Sequence, residues 1–271
     1  MSVQTNVYPT LINAKPVHNA DLVPLAFSGF AHFTAMQIRD QKVKGMDLHL
    51  TRLRKASVSL FGTALPDEKI LDSIRLAIGG GQENMSLTVT VFSPEGEFSA
   101  NSMGAEPAIM VRTAPPSDGP AGPVRLGVVE HERHLAAIKH VGEWAKTYYL
   151  HRAIEQGFDD AAFVDRHERL GEATIWNLVF WDGDSVVWPR ADILTGTMMG
   201  MVQRQLTRLG VPQQHREIRL GDLAGISGAA IMNSWTPGVA VTAIGQNKIL
   251  EATWLMNLLR QAYDAEPALA V

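Results

Sequence analysis

The chain has 271 residues, 46% of them hydrophobic, which is enough to bury a sizeable core in one large or two modest domains. Lys and Arg total 24 against 28 Asp and Glu, and the formal net charge of −4 argues against a basic nucleic-acid-binding surface. The absence of cysteine excludes disulfides, thiolate catalysis and cysteine-ligated metal centres, and the nine histidines form no HExxH spacing.

The N-terminal stretch MSVQTNVYPTLINAKP lacks the basic and apolar regions of a signal peptide, and no later run approaches membrane length. A cytoplasmic enzyme with no membrane or nucleic-acid partner is the expectation. GFAHFTAMQIRDQKVKG reads as two strands with a turn near Asp40 and Gln41. His32, Thr34 and Met36 share one parity and face a pocket if that face is the inner one. Asp47 to Phe61 has helical apolar spacing, and Pro66 to Ile78 reads as a second helix. GGGQENM then turns into the strand SLTVTVF, and Pro107 to Arg112 forms the next strand. TAPPSDGPAGP is the segment richest in proline and glycine, and it places a linker at 115–122 between domains 1–114 and 123–271.

After the strand VRLGVVE comes Lys139, flanked by Ala136, Ala137, Ile138, Val141 and Gly142. Few charges solvate this amine, so desolvation can lower its pKa toward that of a nucleophile, although the residues alone favour a surface lysine with a wet head. Trp144 to Gln156 reads as a helix ending at Gly157, followed by a meander of strands with Asp182-Gly183 as a hairpin turn. Gly196 precedes a further helix, whose N-terminus offers free amides and a favourable dipole to an anion. AAIMNSWTPGVAVTAIG gives a buried strand, a polar turn and another strand. A helix over 250–263 closes the chain, with a frayed tail EPALAV.

IKHVG followed by an amphipathic helix, then GFDDAAFVD, GEATIWN and FWDGDSVVWP, resembles the centre of the class IV (fold type IV) pyridoxal phosphate enzymes. That family holds branched-chain and D-amino acid aminotransferases, R-selective amine transaminases and aminodeoxychorismate lyase. The resemblance implies a two-domain α/β (α+β) fold with the cofactor in the cleft between domains, and a homodimer. It implies Lys139 as the Schiff-base residue and Glu172, 33 residues later, as the carboxylate on the pyridine nitrogen, where it lets the ring act as an electron sink.

HLTRL resembles the family's HxxRL, which makes Arg52 a phosphate ligand, a task suited to a fork of donors. Gly196, Thr197 and Met198 stand at the family's phosphate-binding turn, where backbone amides serve, and Asn233 and Ser234 lie in a second phosphate loop. Substrate-side candidates are His32, Thr34, Thr88, Arg133, Trp235 and Thr236. Three departures mark the substrate side: SGF before the first strand, Gly142 where relatives carry asparagine, and no cation in SLTVTVF. The implied activity is an aminotransferase acting on an amine or amino acid and a keto acid. The Lys139-His140 pair and the short NSWTP loop leave open a 4-amino-4-deoxychorismate lyase, and a cofactor-binding protein without turnover is a third reading.

Overall fold

The structure is a computed structural model that describes residues 8–26, 28–79, 82–98 and 104–271, so the expected turn at 79–85 lies partly outside the described residues. The chain divides into two compact units. The first takes Met1–Ser117, Ile138–Gly142 and Ala268–Val271, and the second takes Asp118–Ala137 and Glu143–Pro267.

The first unit runs β1 (Thr10–Ile12), β2 (Lys15–Pro16), α1 (Val23–Ala26), β3 (Ala31–Ile38), β4 (Lys42–Lys44), α2 (Met46–Phe61), α3 (Asp67–Ile78), β5 (Met85–Phe92) and β6 (Ala108–Ala114). An antiparallel five-stranded sheet forms in the order β2-β1-β6-β5-β3. Asp40 and Gln41 take positive φ of 49° and 58°, the mirror-image turn that suits the twist of the hairpin β3–β4. Side chains alternate across each strand, so Met36, Ile38, Leu87, Val89, Ile109 and Val111 all point one way. There they form one core with Leu53 of α2 and Ile70 and Ile74 of α3.

Two polar pairs sit inside this apolar layer. His32 Nε2 bonds Ser57 Oγ at 2.8 Å, and Thr34 Oγ1 bonds His49 Nδ1 at 2.6 Å, which fastens β3 to two successive stretches of α2. Beside β3, the Phe33 amide donates to the Lys139 carbonyl (2.9 Å) and the Val141 amide to the Ala31 carbonyl (2.8 Å). This extra rung occupies the edge of β3, which among the described residues has no strand partner on that side. Lys139 therefore belongs to the first unit, whereas the linker-based boundaries assign it to the C-terminal domain.

The second unit runs β7 (Val124–Glu130), α4 (Trp144–Glu155), β8 (Asp160–Val164), β9 (Leu170–Ala173), β10 (Asn177–Trp181), β11 (Val186–Pro189), α5 (Thr197–Arg208), β12 (Gln213–Arg216), β13 (Gly228–Asn233), β14 (Thr236–Ile244), β15 (Asn247–Lys248) and α6 (Thr253–Asp264). Its sheet follows β12-β11-β10-β13-β14-β7-β8-β9, and β9 pairs back to β10 at Glu172 and Asn177, closing a ring of strands. Leu126, Leu170, Leu178, Phe180, Ile231, Val241 and Ile244 fill the core. Gly157, at φ 82°, ends α4 as expected. A Cβ at Gly122 would stand 2.6 Å from Val239, so the end of the proline-glycine segment packs tightly on β14.

The tail is not frayed. β16 (Ala268–Ala270) pairs antiparallel with β4, Leu269 opposite Val43, and Val271 packs against the first unit's core. Its apolar run finds an open strand edge there.

His32 and His49 are nearly inaccessible, and burial pulls their pKa values from 6.5 to about 4 and about 3. Both are neutral in the fold, and the unfolded chain binds their protons more readily. Stability is therefore complete above pH 6.5 and falls as pH drops from 6.5 toward 4. Between pH 7 and 5 the two groups together cost on the order of 3 kcal/mol. Denaturant unfolding at both pH values measures this. A His49→Asn variant should show a visibly shallower pH dependence, and identical profiles would show that the histidines are not the titrating groups.

Candidate active site

Glu172 sits on β9 at 6% exposure. A buried carboxylate must be bonded. Its Oε1 accepts the Leu194 amide at 3.1 Å and its Oε2 faces the Arg133 guanidinium at 3.4 Å. Arg133 also donates to the Ala136 carbonyl at 2.9 Å and lies 3.4 Å from Glu143. With its side chain 2% exposed, Arg133 is a buried support for Glu172, which corrects the expectation of a substrate contact. Lys146 of α4 joins this charge cluster. Burial first, and then the Arg133 charge, hold its amine below the usual lysine range.

Opposite Glu172 across the β9–β10 pair, Asn177 donates from Nδ2 to the Leu194 carbonyl at 2.7 Å. Leu194 is thus held by its N–H through Glu172 and by its C=O through Asn177. Two residues on, Gly196 is the N-cap of α5, and no side chain caps that helix. A Cβ at Gly196 would stand 2.0 Å from Asn177 Oδ1, so only glycine fits against this asparagine. The first-turn amides of α5 have no partner within the helix and carry its positive dipole end. The side chains of Thr197 and Met198 are buried, so what Met198 offers an anion is its backbone.

The turn after β13 is organised locally. Asn233 Oδ1 accepts the Trp235 amide at 2.8 Å, so Asn233 shapes the loop while Ser234 stands half-buried beside it. Trp235 packs edge-on against Trp176, with centroids 5.8 Å apart. Trp176 is itself fixed through Nε1 to Asp160 at 2.9 Å. Asp160 further accepts from Thr174 Oγ1 and the Ala161 amide, and burial pushes its pKa up. Thr236 is buried and donates to the Gly238 carbonyl at 3.4 Å, with its methyl next to Gly119 of the linker.

In the first unit, Lys139 Nζ lies 4.9 Å over the ring of Phe33, an apolar wall with a negative face that favours a cation. Phe33 has the opposite parity to His32 and Thr34, which are turned into the α2 packing. That corrects the expectation that His32 and Thr34 line the pocket. Thr88 is paired with Ala35 and stands on the Phe33 side of the sheet. Arg52, half-buried on α2, lies near enough to His49 for its charge to lower the histidine's pKa. Asn177 is in place as support for this arrangement, whereas Phe33 and the Leu194 backbone are parts of it that the sequence reading did not assign.

The amino-transferase class IV family model matches residues 31–244. Among solved structures, the branched-chain amino acid aminotransferase from Escherichia coli superposes with a TM-score of 0.83 at 14% identity, over 96% of this chain and 94% of that one. A hypothetical aminotransferase from Mycobacterium tuberculosis in its PLP-bound form gives 0.80 at 18% identity, over 96% and 98%. A candidate 4-amino-4-deoxychorismate lyase from Legionella pneumophila gives 0.76 at 18% identity, over 90% and 94%. At these identities the likeness is one of fold. No match is found among curated protein sequences. The family match spans well over half of the residues, and the chain belongs to the class IV aminotransferases.

Proposed function

We propose that the protein is a pyridoxal phosphate-dependent aminotransferase that moves an amino group between an amine or amino acid and a keto acid. The observation that carries this reading is the buried Glu172 carboxylate, fixed by Leu194 and Arg133 and tied through Asn177 to the uncapped turn of α5. These donors fit the group. A carboxylate suits a protonated ring nitrogen, helix amides suit a phosphate, and a lysine amine suits an aldehyde. When bound, the cofactor supplies that aldehyde and a ring that draws electrons from the substrate Cα–H bond.

Glu172 keeps the proton at the ring nitrogen, and Arg133 holds Glu172 in place. Arg52, Ser234 and the amides at Gly196, Thr197 and Met198 bind the phosphate, with Asn233 shaping their loop. Lys139 would anchor the cofactor through its amine, and the same amine would take the substrate Cα proton as general base. Thr88, Trp235 and Thr236 bound the substrate. A homodimer and a cytoplasmic setting belong to the same proposal, and no helix among the described residues is long and apolar enough to cross a membrane.

Pyruvate elimination by a 4-amino-4-deoxychorismate lyase is the second reading, supported by the Lys139-His140 pair and the short NSWTP loop. Treating holoprotein with an amine donor, removing the donor and adding a keto acid separates the two. A transaminase retains the amino group and passes it on, and a lyase does not. Holoprotein inert to every amine offered would leave only cofactor binding.

Lys139→Ala should reduce transamination by about 10²- to 10⁴-fold, measured by product formation, because it removes the general base. Retained activity would move that role to another group.

Gly196→Ala should weaken cofactor binding at least about tenfold in a fluorescence titration, because the new methyl drives the α5 turn away from Asn177. Gly221→Ala, where a Cβ meets nothing within 4 Å, is the matched control. A lowered melting point with unchanged cofactor affinity would make Gly196 a packing residue only.

A further inference from the structure

The first unit's sheet has two unlike faces. Against α2 and α3 it presents the apolar core, and on the other face the register sets out rows of residues. One row reads Phe33, Thr90, Met110 and Ile12, and the next reads Ala35, Thr88, Arg112 and Thr10. Both ends of this face are closed. Ala31, Phe92 and Ala108 cluster with Leu25 of α1 at one end. At the other, Gln37 bonds Ser86, Arg39 and the Ser117 amide. Between them lie the two rows, with the Lys139 amine over Phe33 at their margin.

Arg112 is the cation in these rows. It is exposed, and no hydrogen bond or ion pair holds it among the described residues. Neither row contains an acid. Two strand spacings separate Arg112 from Ala35, so their Cα atoms lie about 10 Å apart, and Phe33 is two residues further along β3. A guanidinium on a long stem at that spacing, on the face that carries Lys139, is placed to receive the carboxylate of a substrate whose amine is directed to Lys139. Its fork matches a carboxylate in two bonds.

We propose that Arg112 binds the substrate carboxylate, so that the enzyme takes amino acids and keto acids in preference to simple amines. The inference rests on the aminotransferase reading and adds the residue that selects the substrate class.

The test compares Arg112→Gln and Arg112→Lys with the wild-type holoprotein. Single-turnover reactions are followed with glutamate, with alanine and with 1-phenylethylamine, each as both enantiomers. Calorimetry measures binding of succinate and of uncharged succinamide. Arg112→Gln should raise KM for an amino acid about 10- to 100-fold, the worth of a charged hydrogen bond, with 1-phenylethylamine unchanged. It should also lose succinate binding, and Arg112→Lys should restore part of each. A loss with glutamate alone places the contact at the side-chain carboxylate, and a loss with both amino acids places it at the α-carboxylate. Should Arg112→Gln misfold, Thr10→Glu sets a carboxylate beside the intact arginine and should give the same selective loss. Unchanged amino acid KM and succinate affinity, or an equal loss with 1-phenylethylamine, overturns the proposal. Wild-type protein that takes up no cofactor overturns the aminotransferase reading instead, and succinate binding then still decides whether Arg112 receives a carboxylate.

Discussion

The second unit is arranged around a charge that cannot be left alone. Glu172 is buried, and an unpartnered carboxylate there would be strongly destabilising. Its oxygens are met by the Leu194 amide and the Arg133 guanidinium. The same contacts fix the local backbone. Because Leu194 is gripped on both sides, by Glu172 and by Asn177, the turn that opens α5 is rigidly referred to the β9–β10 hairpin. The Glu172 carboxylate and the first-turn amides of α5 therefore share one piece of scaffold. A displacement of one is transmitted to the other, and catalytic groups need such a supporting shell to keep their geometry.

Much of this was legible in the sequence because it is periodic or chemically singular. The five longer helices lie within a few residues of their expected spans, the Asp40-Gln41 turn is where the break between strands demands it, and Gly157 ends α4. Parity along β3 was not legible. HFTAMQI carries apolar and polar side chains at both parities, so alternation alone does not say which set faces the core. Only the pairing of His32 with Ser57 and Thr34 with His49 decides it. Nor was the role of Arg133, since burial between two glutamates depends on contacts 10 and 39 residues away. Gly142, noted in the sequence as a departure from relatives, has a local reason in the structure. A Cβ there would stand 3.1 Å from the Gly29 carbonyl, so two glycines meet where the Lys139 segment runs beside β3.

The histidine-hydroxyl pairs show how a small sheet tolerates polarity. Each pair is joined by a buried hydrogen bond, so each orients α2 on β3 without exposing the apolar layer to water. That orientation also sets the direction in which Arg52 leaves the same helix, one turn after His49.

The strand β16 gives residues 268–270 a structural task at the edge of β4, far earlier in the chain. The paired residues Lys44 and Ala268 lie 224 positions apart. Bringing such distant segments together costs loop-closure entropy that the hairpin β3–β4 does not incur. The rung at β4 is therefore a late contact in folding, and the edge of β4 stays uncovered until most of the first unit has gathered.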